Sequence, residues 1–110
     1  MLSIDGNNNI TLTRGDTLTL TVGLIKDGET YTPEAEDVIR FALSRDYLGE
    51  PGYELKVSKE IPHDTLTFTL TSQETALDYR SYNYDVEITH EDNSVDTFIS
   101  AKLTITGEVK

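Results

Sequence analysis

The sequence predicts an all-β fold, namely an antiparallel β-sandwich, from three observations. Apolar residues alternate with polar residues in short runs, which is typical of a strand with one buried face. Residues that favour turns separate these runs at intervals of roughly 8–12 residues. No stretch with helical periodicity is long enough to form an independent helix. Because a sheet with one apolar face must bury that face against another sheet, about seven to eight short strands predict two packed sheets.

The strands are predicted from their alternating residues. The clearest run is TLTLTVGLI at residues 17–25, which places three leucines and a valine on one face and β-branched threonines, which suit an exposed strand, on the other. The other runs, in chain order, are Ile10 and Leu12; Ile39, Phe41 and Leu43; Leu55 and Val57; Leu66, Phe68 and Leu70; Tyr82, Tyr84, Val86 and Ile88; and Ile99, Ala101, Leu103 and Ile105. We predict a core that contains Leu18, Leu20, Val22, Phe41, Leu43, Phe68, Leu70, Tyr82, Val86, Ile88, Leu103 and Ile105.

Turns are predicted where residues such as glycine, proline, asparagine and aspartate gather between these runs. Such clusters occur as KDGE at 26–29, LGEPG at 48–52, PHD at 62–64 and EDNS at 91–94. Two further stretches can each form one helical turn: TPEAED at 32–37 and TSQETAL at 71–77, the second with the Thr71 and Glu74 spacing of a capping box. A chain of 110 residues suits one core, so residues 1–110 are expected to form a single β-sandwich domain.

The composition narrows the classes of partner. Twenty acidic and nine basic residues give a formal net charge of −11, which disfavours nucleic acids and anionic membranes. The acidity favours either simple solubility or a basic protein partner. There is no cysteine, and the first residues, MLSIDGNNNI, lack the pattern of a signal peptide. We expect a soluble protein that is not exported and does not enter a membrane.

The tripeptide Arg14-Gly15-Asp16 lies between two predicted strands, in ITLTRGDTLTLTV at residues 10–22. Arg-Gly-Asp is also a cell-adhesion signal, which requires the tip of a protruding loop. Here only a few residues separate the strand patterns. Glycine supplies the backbone freedom of a turn or bulge, and aspartate can bond amides that follow it. We therefore interpret Arg14, Gly15 and Asp16 as a structural turn.

A calcium loop is suggested by Asp5, Asn7 and Asn9, which have the spacing of its first three ligands. The rest of the pattern does not match, because Ile10 replaces the glycine and Asp16 replaces the bidentate glutamate that the loop requires. Asparagine and aspartate also build turns. We interpret this segment as a turn and predict no metal.

Catalytic patterns are also weak. His63 and His90 lie beside predicted turns, and neither has a second histidine or a thiol at the spacing of a zinc site, so both are expected to be solvated. Glu34, Glu36 and Asp37 form an acidic cluster, yet carboxylates in loops are usually solvated rather than catalytic. No serine lies in a nucleophile-elbow pattern, and no glycine loop suits a phosphate. We predict no catalytic residue and no cofactor, and hence a protein that is not an enzyme.

The segment LDYRSYNYDVEI at residues 77–88 refines the fold prediction. Tyr82, at a strand entrance and five residues after Leu77, resembles the tyrosine corner of immunoglobulin-like sandwiches, in which a buried ring bonds nearby backbone through its hydroxyl. The predicted fold is therefore an immunoglobulin-like sandwich, with an ordinary core tyrosine as the alternative. The remaining tyrosines are candidates for stacking on sugar rings or for anchoring a protein interface, above all those in or near loops, Tyr47, Tyr53 and Tyr79.

The chain as a whole resembles the N-terminal domain of phage baseplate upper proteins and related small prophage tail-region proteins. The features that carry the resemblance are the RGDT turn before an alternating strand, a D-G-x-x-Y hairpin followed by an acidic step into the strand of Phe41, and the Tyr-x-Tyr-Asp of Tyr82, Tyr84 and Asp85. The terminal strand, Leu103 to Val109, also matches. Arg80 departs from the family pattern, which usually has glycine at that place.

The resemblance implies a non-enzymatic structural module that docks onto other proteins of a phage or prophage tail baseplate, or onto itself as a homo-oligomer. The module would assemble in the bacterial cytoplasm and reside in the virion tail. The alternative function is a carbohydrate-binding or adhesive module of a bacterial surface protein. We further expect the terminal strand, from Val95 to Val109, to offer an edge for docking, because unpaired strand edges invite augmentation by another chain.

Overall fold

The computed structural model describes residues 2–107. This part of the chain contains ten strands and no helix, so the all-β prediction is confirmed. The strands are β1 (Leu2–Ile4), β2 (Ile10–Thr13), β3 (Leu18–Thr21), β4 (Ile25–Lys26), β5 (Glu29–Thr30), β6 (Val38–Arg45), β7 (Glu54–Ile61), β8 (Thr67–Leu70), β9 (Ser81–Thr89) and β10 (Val95–Thr106). The count exceeds the predicted one because β1, β4 and β5 are only two or three residues long.

The strands form one large sheet, one small sheet and a hairpin. The large sheet has six strands in the order β1-β2-β10-β9-β6-β7, the small sheet pairs β3 with β8, and β4 pairs with β5. Every pair is antiparallel except β2 and β10, which run parallel. The purely antiparallel prediction is wrong at this pair. Parallel neighbours need a long connection, and here the chain leaves β2, builds the other strands and returns at the end as β10.

The two sheets share one hydrophobic core. The rings of Phe41 in the large sheet and Phe68 in the small sheet lie 4.8 Å apart between centroids. All predicted core residues are buried except Leu20 and Val22, which are half-buried. The small sheet is only two strands wide, and these two side chains line a cleft of 290 Å³ that opens between the sheets. The core also contains Ile10, Leu12, Leu24, Ile39, Val57, Ile61 and Tyr84.

A β-bulge in the pair of β6 and β7 separates two residues that alternation placed together. Leu43 pairs with Val57, but the next residue, Ser44, pairs with Leu55, so Lys56 is the extra residue of the bulge. Val57 therefore points into the core, whereas Leu55 points to the outer face of the large sheet, where it is exposed. The inference that Leu55 and Val57 share one face is wrong for this reason.

The terminal strand is not an edge of the large sheet. β10 pairs with β9 from Val95 to Thr104 and with β2 over Leu103–Thr106, and Val109 lies outside the described residues. The residue before that pairing, Lys102, donates its backbone N–H to Asn9 Oδ1. The prediction of a terminal docking edge is therefore wrong for Leu103–Thr106, the part of β10 that β2 covers. The described edges of this sheet are β1 and β7.

Local chemistry accounts for the connections. Asp27 and Gly28 both have positive φ, as the tight turn between β4 and β5 requires. In the stretch at 71–77, Thr71 N–H donates to Glu74 Oε1 and Glu74 N–H donates to Thr71 Oγ1, so both bonds of a capping box are present. This stretch forms a turn rather than a helix.

Tyr82 lies at the entrance of β9 with its ring buried. Its hydroxyl donates to the carbonyl of Asp78 at 2.9 Å, four residues upstream. Leu77 is half-buried and packs against the core nearby. The Arg80 guanidinium lies 5.7 Å from the centroid of the Tyr82 ring. The bond from the Tyr82 hydroxyl to the Asp78 carbonyl has the form of the hydrogen bond in a tyrosine corner.

Replacement of Tyr82 by phenylalanine should lower the free energy of unfolding by about 1 kcal/mol, the usual net contribution of one hydrogen bond. Urea unfolding of Tyr82→Phe measures the change. Tyr79→Phe is the matched control, because the Tyr79 ring is exposed. Equal stability of Tyr82→Phe and the wild type would reduce Tyr82 to ordinary packing.

Candidate binding surface

The outer face of the large sheet, opposite the core, carries a groove in its centre. Strand pairing places Ala42 beside Asp85 and Asp85 beside Ser100, while Ser58 lies beyond Ala42. Three of the four side chains in this row are small, so the row is lower than its surroundings. The result is a groove of 290 Å³ with the Asp85 carboxylate among its lining groups.

Arg40 and Glu87 are paired in the neighbouring row on one side of this row, and Ser44 and Asn83 are paired in the neighbouring row on the other side. Arg40 donates to Ser58 Oγ at 3.1 Å. In the neighbouring row on the other side, Lys102 Nζ donates to Asn83 Oδ1 at 3.1 Å. The groove therefore has polar sides, and Arg40 in its lining and Lys102 beyond it both donate to neutral partners.

Asp85 carries a negative charge that no described hydrogen bond or ion pair offsets. Burial raises the pKa of its carboxyl, and the negative charge of Glu87 raises it further. Within residues 2–107, no hydrogen bond to the Asp85 carboxylate is found. A partly buried carboxylate with a raised pKa and no donor favours a positive charge or a proton above it.

The loop between β6 and β7 closes one side of the groove with apolar and aromatic groups. Tyr47 N–H donates to Glu50 Oε1, and Glu50 N–H donates back to the Tyr47 carbonyl at 3.0 Å. Tyr53 N–H then donates to the Glu50 carbonyl at 3.1 Å. These bonds fix the backbone at both tyrosines, and the Asp46 carboxylate lies so close to Gly52 that an added Cβ there would come within 2.1 Å of Asp46 Oδ2 and displace that side chain. The loop is thus ordered by its own turns.

The rim that this loop provides is apolar and exposed. Leu48 is 82% exposed, Tyr47 is 56% exposed and Leu55, turned outward by the bulge, is 49% exposed. All three residues line the groove together with Tyr53. Alternation of residues indicated neither this rim nor the groove, because the rim depends on a bulge and the groove on a row that crosses four strands. Clustered exposed apolar groups of this kind mark interaction surfaces.

The predicted turn residues lie elsewhere in the fold. Arg14, Gly15 and Asp16 form a turn after β2, in which Asp16 N–H donates to the Thr13 carbonyl at 3.1 Å and Gly15 has a φ of 83°. Neighbouring segments hold this turn. Arg14 N–H donates to the Thr106 carbonyl at 3.0 Å, and the Asp16 carbonyl accepts the Thr75 hydroxyl at 2.7 Å. The tripeptide is fixed against the body of the domain and is not the tip of a protruding loop.

Replacement of Gly15 by valine should destabilise the protein by about 1–3 kcal/mol, because a β-branched residue tolerates positive φ poorly. Urea unfolding of Gly15→Val measures this loss. Gly6→Val is the matched control, since Gly6 lies outside the left-handed region and nothing lies within 4 Å of an added Cβ. Equal losses in the two variants would contradict the conformational explanation.

His90 forms an ion network at one end of the sandwich. Its Nδ1 lies 2.8 Å from Asp37 Oδ1 and its Nε2 lies 2.8 Å from Asp96 Oδ2. The Tyr31 hydroxyl donates to Asp37 Oδ2 at 2.7 Å, and Lys26 Nζ forms an ion pair with Asp96 at 3.1 Å. The expectation that His90 and Asp37 are merely solvated is wrong. Tertiary folding brings together residues up to 70 positions apart, which no local pattern indicates.

The network shifts the pKa values of its members. Hydrogen bonds to Asp96 and then to Asp37 raise the pKa of His90. Burial opposes ionisation of the Asp37 carboxyl, but hydrogen bonds from Tyr31, the Glu34 amide and His90 outweigh it and lower its pKa. The hydrogen bond to Asp37, followed by burial, raises the pKa of Tyr31 to about 12. The network therefore favours the charged form of the His90 imidazole, which lies between two carboxylates.

The stabilisation from His90 should depend on pH. Because the folded pKa of His90 is raised, its contribution is fully present below the unfolded value of about 6.5 and is lost as the pH rises through the folded value. Urea unfolding across pH 5 to 9, roughly the range in which histidine titrates, should show that the gap between the wild type and His90→Gln narrows with rising pH. The same trend in His63→Gln, at an exposed position, would contradict the assignment to His90.

The remaining candidates serve local structure. Asp5 Oδ1 accepts the backbone N–H groups of Asn7 at 2.8 Å and Asn9 at 3.0 Å, so the first residues of the suggested calcium loop bond their own backbone. Glu34 and Glu36 are exposed, as is His63. Within residues 2–107, no group of three or more histidine, cysteine, aspartate or glutamate residues has an arrangement that could hold a metal ion. No described helix has the length and apolar character to cross a membrane.

Comparison with known proteins identifies no relative. No family model matches the chain, and no curated protein matches it. Support for a function therefore comes from the geometry of the outer face and from the resemblance described above.

Proposed function

We propose that this protein is a non-enzymatic assembly module of a phage or prophage tail, and that it docks onto another tail protein through the outer face of the large sheet. The observation that carries the proposal is the exposed rim of Tyr47, Leu48 and Leu55 beside the central groove. Interfaces concentrate their binding energy in such clusters, in which aromatic residues are enriched. The context of a phage tail is supported by the resemblance alone.

The neighbouring edge of the sheet supports docking by the face instead of the edge. β7 is an outer strand and carries Lys56 and Lys59. Lys56 Nζ lies 2.5 Å from Glu54, and Lys59 Nζ lies 2.6 Å from Glu74 while donating to the Thr69 carbonyl. Lysines on an edge strand discourage pairing with another chain. The apolar rim therefore offers the better contact on this side of the protein.

The sandwich itself is proposed to be immunoglobulin-like. In that fold, strands B and E pair in one sheet, and strands G, F, C and C′ follow one another in the other sheet. The pair β3-β8 and the order β10-β9-β6-β7 have the same arrangement. Tyr82 at the entrance of β9 supports this assignment, since the tyrosine corner belongs to strand F. The loop with Tyr47 and Leu48 then joins strands C and C′.

Capture of neighbouring gene products tests the function. We expect the tagged wild-type protein to retain a tail protein encoded beside it, and we expect Leu48→Glu to lose that partner because a charge replaces an exposed apolar contact. Ile25→Glu is the matched control, since Ile25 is 67% exposed but lies on the β4-β5 hairpin away from the rim.

Two results would contradict the proposal. Equal loss of the partner in Leu48→Glu and Ile25→Glu would mean that the rim is not the docking surface. Saturable binding of an oligosaccharide by the wild-type protein, with no captured protein, would favour the carbohydrate-binding alternative, for which Tyr47 and Tyr53 would supply the stacking rings.

A further inference from the structure

We propose that the groove around Asp85 receives a basic side chain, lysine or arginine, of the partner protein, with the apolar rim covering the stem of that side chain. This inference rests on the proposed function, because it assigns the partner's chemistry at the same face. It commits to a protein partner, and a sugar ligand is an outcome of the test.

The first observation is the environment of the Asp85 carboxylate, which offers it little stabilisation of its negative charge. Burial and the nearby Glu87 disfavour its charge, and no hydrogen bond to it is found within residues 2–107. The side chains beside it in register, Ala42 and Ser100, are small and leave room above the carboxylate. An incoming donor can therefore reach it without rearrangement of the sheet.

The second observation is the charge around the groove. Arg40 is paired in register with both Glu60 and Glu87, and its guanidinium donates to Ser58. The Lys102 ammonium group donates a hydrogen bond to Asn83 in the row beside that of Asp85. Neither cation lowers the pKa of Asp85 noticeably, whereas Glu87 raises it. The local field is thus negative, which favours a cation over a neutral hydroxyl.

The third observation is the composition of the rim. Lysine and arginine carry apolar stems, which pack on surfaces such as Leu48 and Leu55, and their charged ends are attracted to aromatic faces such as those of Tyr47 and Tyr53. All four residues line the same groove as Asp85. The net charge of −11 would add long-range attraction for a basic partner. Arginine fits best, since its planar fork can bind a carboxylate through two hydrogen bonds.

Titration of the ¹⁵N-labelled protein with N-acetyl-arginine methylamide, followed by NMR, tests this inference without any partner. We expect saturable shifts at the amides of Ala42, Asp85 and Ser100 that weaken at high salt. The neutral isostere N-acetyl-citrulline methylamide should produce none. The pKa of Asp85, followed through the chemical shift of its side-chain carboxyl carbon in a ¹³C-labelled sample, should fall when arginine is bound, because a cation stabilises the carboxylate.

Variants locate the site. Asp85→Asn keeps the shape of the side chain and should weaken arginine binding by about tenfold or more, a change of roughly 1.4 kcal/mol. Asp27→Asn on the exposed β4-β5 hairpin should bind as the wild type does and controls for the loss of one negative charge. Equal binding of citrulline, or unchanged arginine binding by Asp85→Asn, would overturn the inference, as would saturable binding of methyl glucoside in place of arginine.

The outcomes separate this inference from the proposed function. Arginine binding at Asp85 without capture of any tail protein would contradict the assembly function and leave the basic-side-chain site standing. Capture of a tail protein that Asp85→Asn retains as well as the wild type would support docking and overturn the role of Asp85.

Discussion

The register of β9 against its two neighbours is the constraint on which both the core and the candidate surface depend. Val86 pairs with Phe41 on β6 and with Ile99 on β10, and its side chain is buried. Because side chains alternate between the two faces of a sheet, the register that buries Val86 also places Asp85 on the outer face, beside Ala42 and Ser100. A slip of one residue would expose the core side chains of β9 and bury Asp85, so the stability of the sandwich and the geometry of the groove cannot be varied independently.

Alternation predicted the core well wherever a strand is regular and one of its faces is entirely apolar, as in β9. It failed on β7 for two physical reasons. The bulge at Lys56 reverses the orientation of Leu55, and Lys59 occupies an inward position between Val57 and Ile61, which hides the alternation. Lys59 forms an ion pair with Glu74 and donates to the Thr69 carbonyl. Both partners belong to a neighbouring segment, so the sequence of β7 alone does not indicate that a lysine can occupy this position.

The candidate site was less accessible to sequence reasoning than the core was. The alternation of β9 is sufficient to place Asp85 opposite the buried residues, but the groove exists because Ser58, Ala42 and Ser100 on three other strands are small. Likewise, the contacts of His90 come from segments before β6 and within β10. Local patterns report the conformation of a segment, whereas these arrangements depend on which segments become neighbours. The tyrosine at the entrance of β9 is the exception, since its hydroxyl bonds backbone only four residues away.

The length and composition of the loop between β6 and β7 also bear on the binding surface. The loop that presents Tyr47 and Leu48 begins with Asp46 at a φ of 58° and contains Gly49 at a φ of 95°. A loop that needed only to connect β6 and β7 could be shorter and polar, as the two-residue turn of the β4-β5 hairpin is. Instead it is longer and exposes Leu48 and Tyr47, which leaves apolar surface in water without improving the core. Such features persist when the exposed groups have a use, and here they border the groove that contains an unpartnered carboxylate. The exposed apolar loop and the carboxylate of Asp85 are thus independent features that favour the same surface.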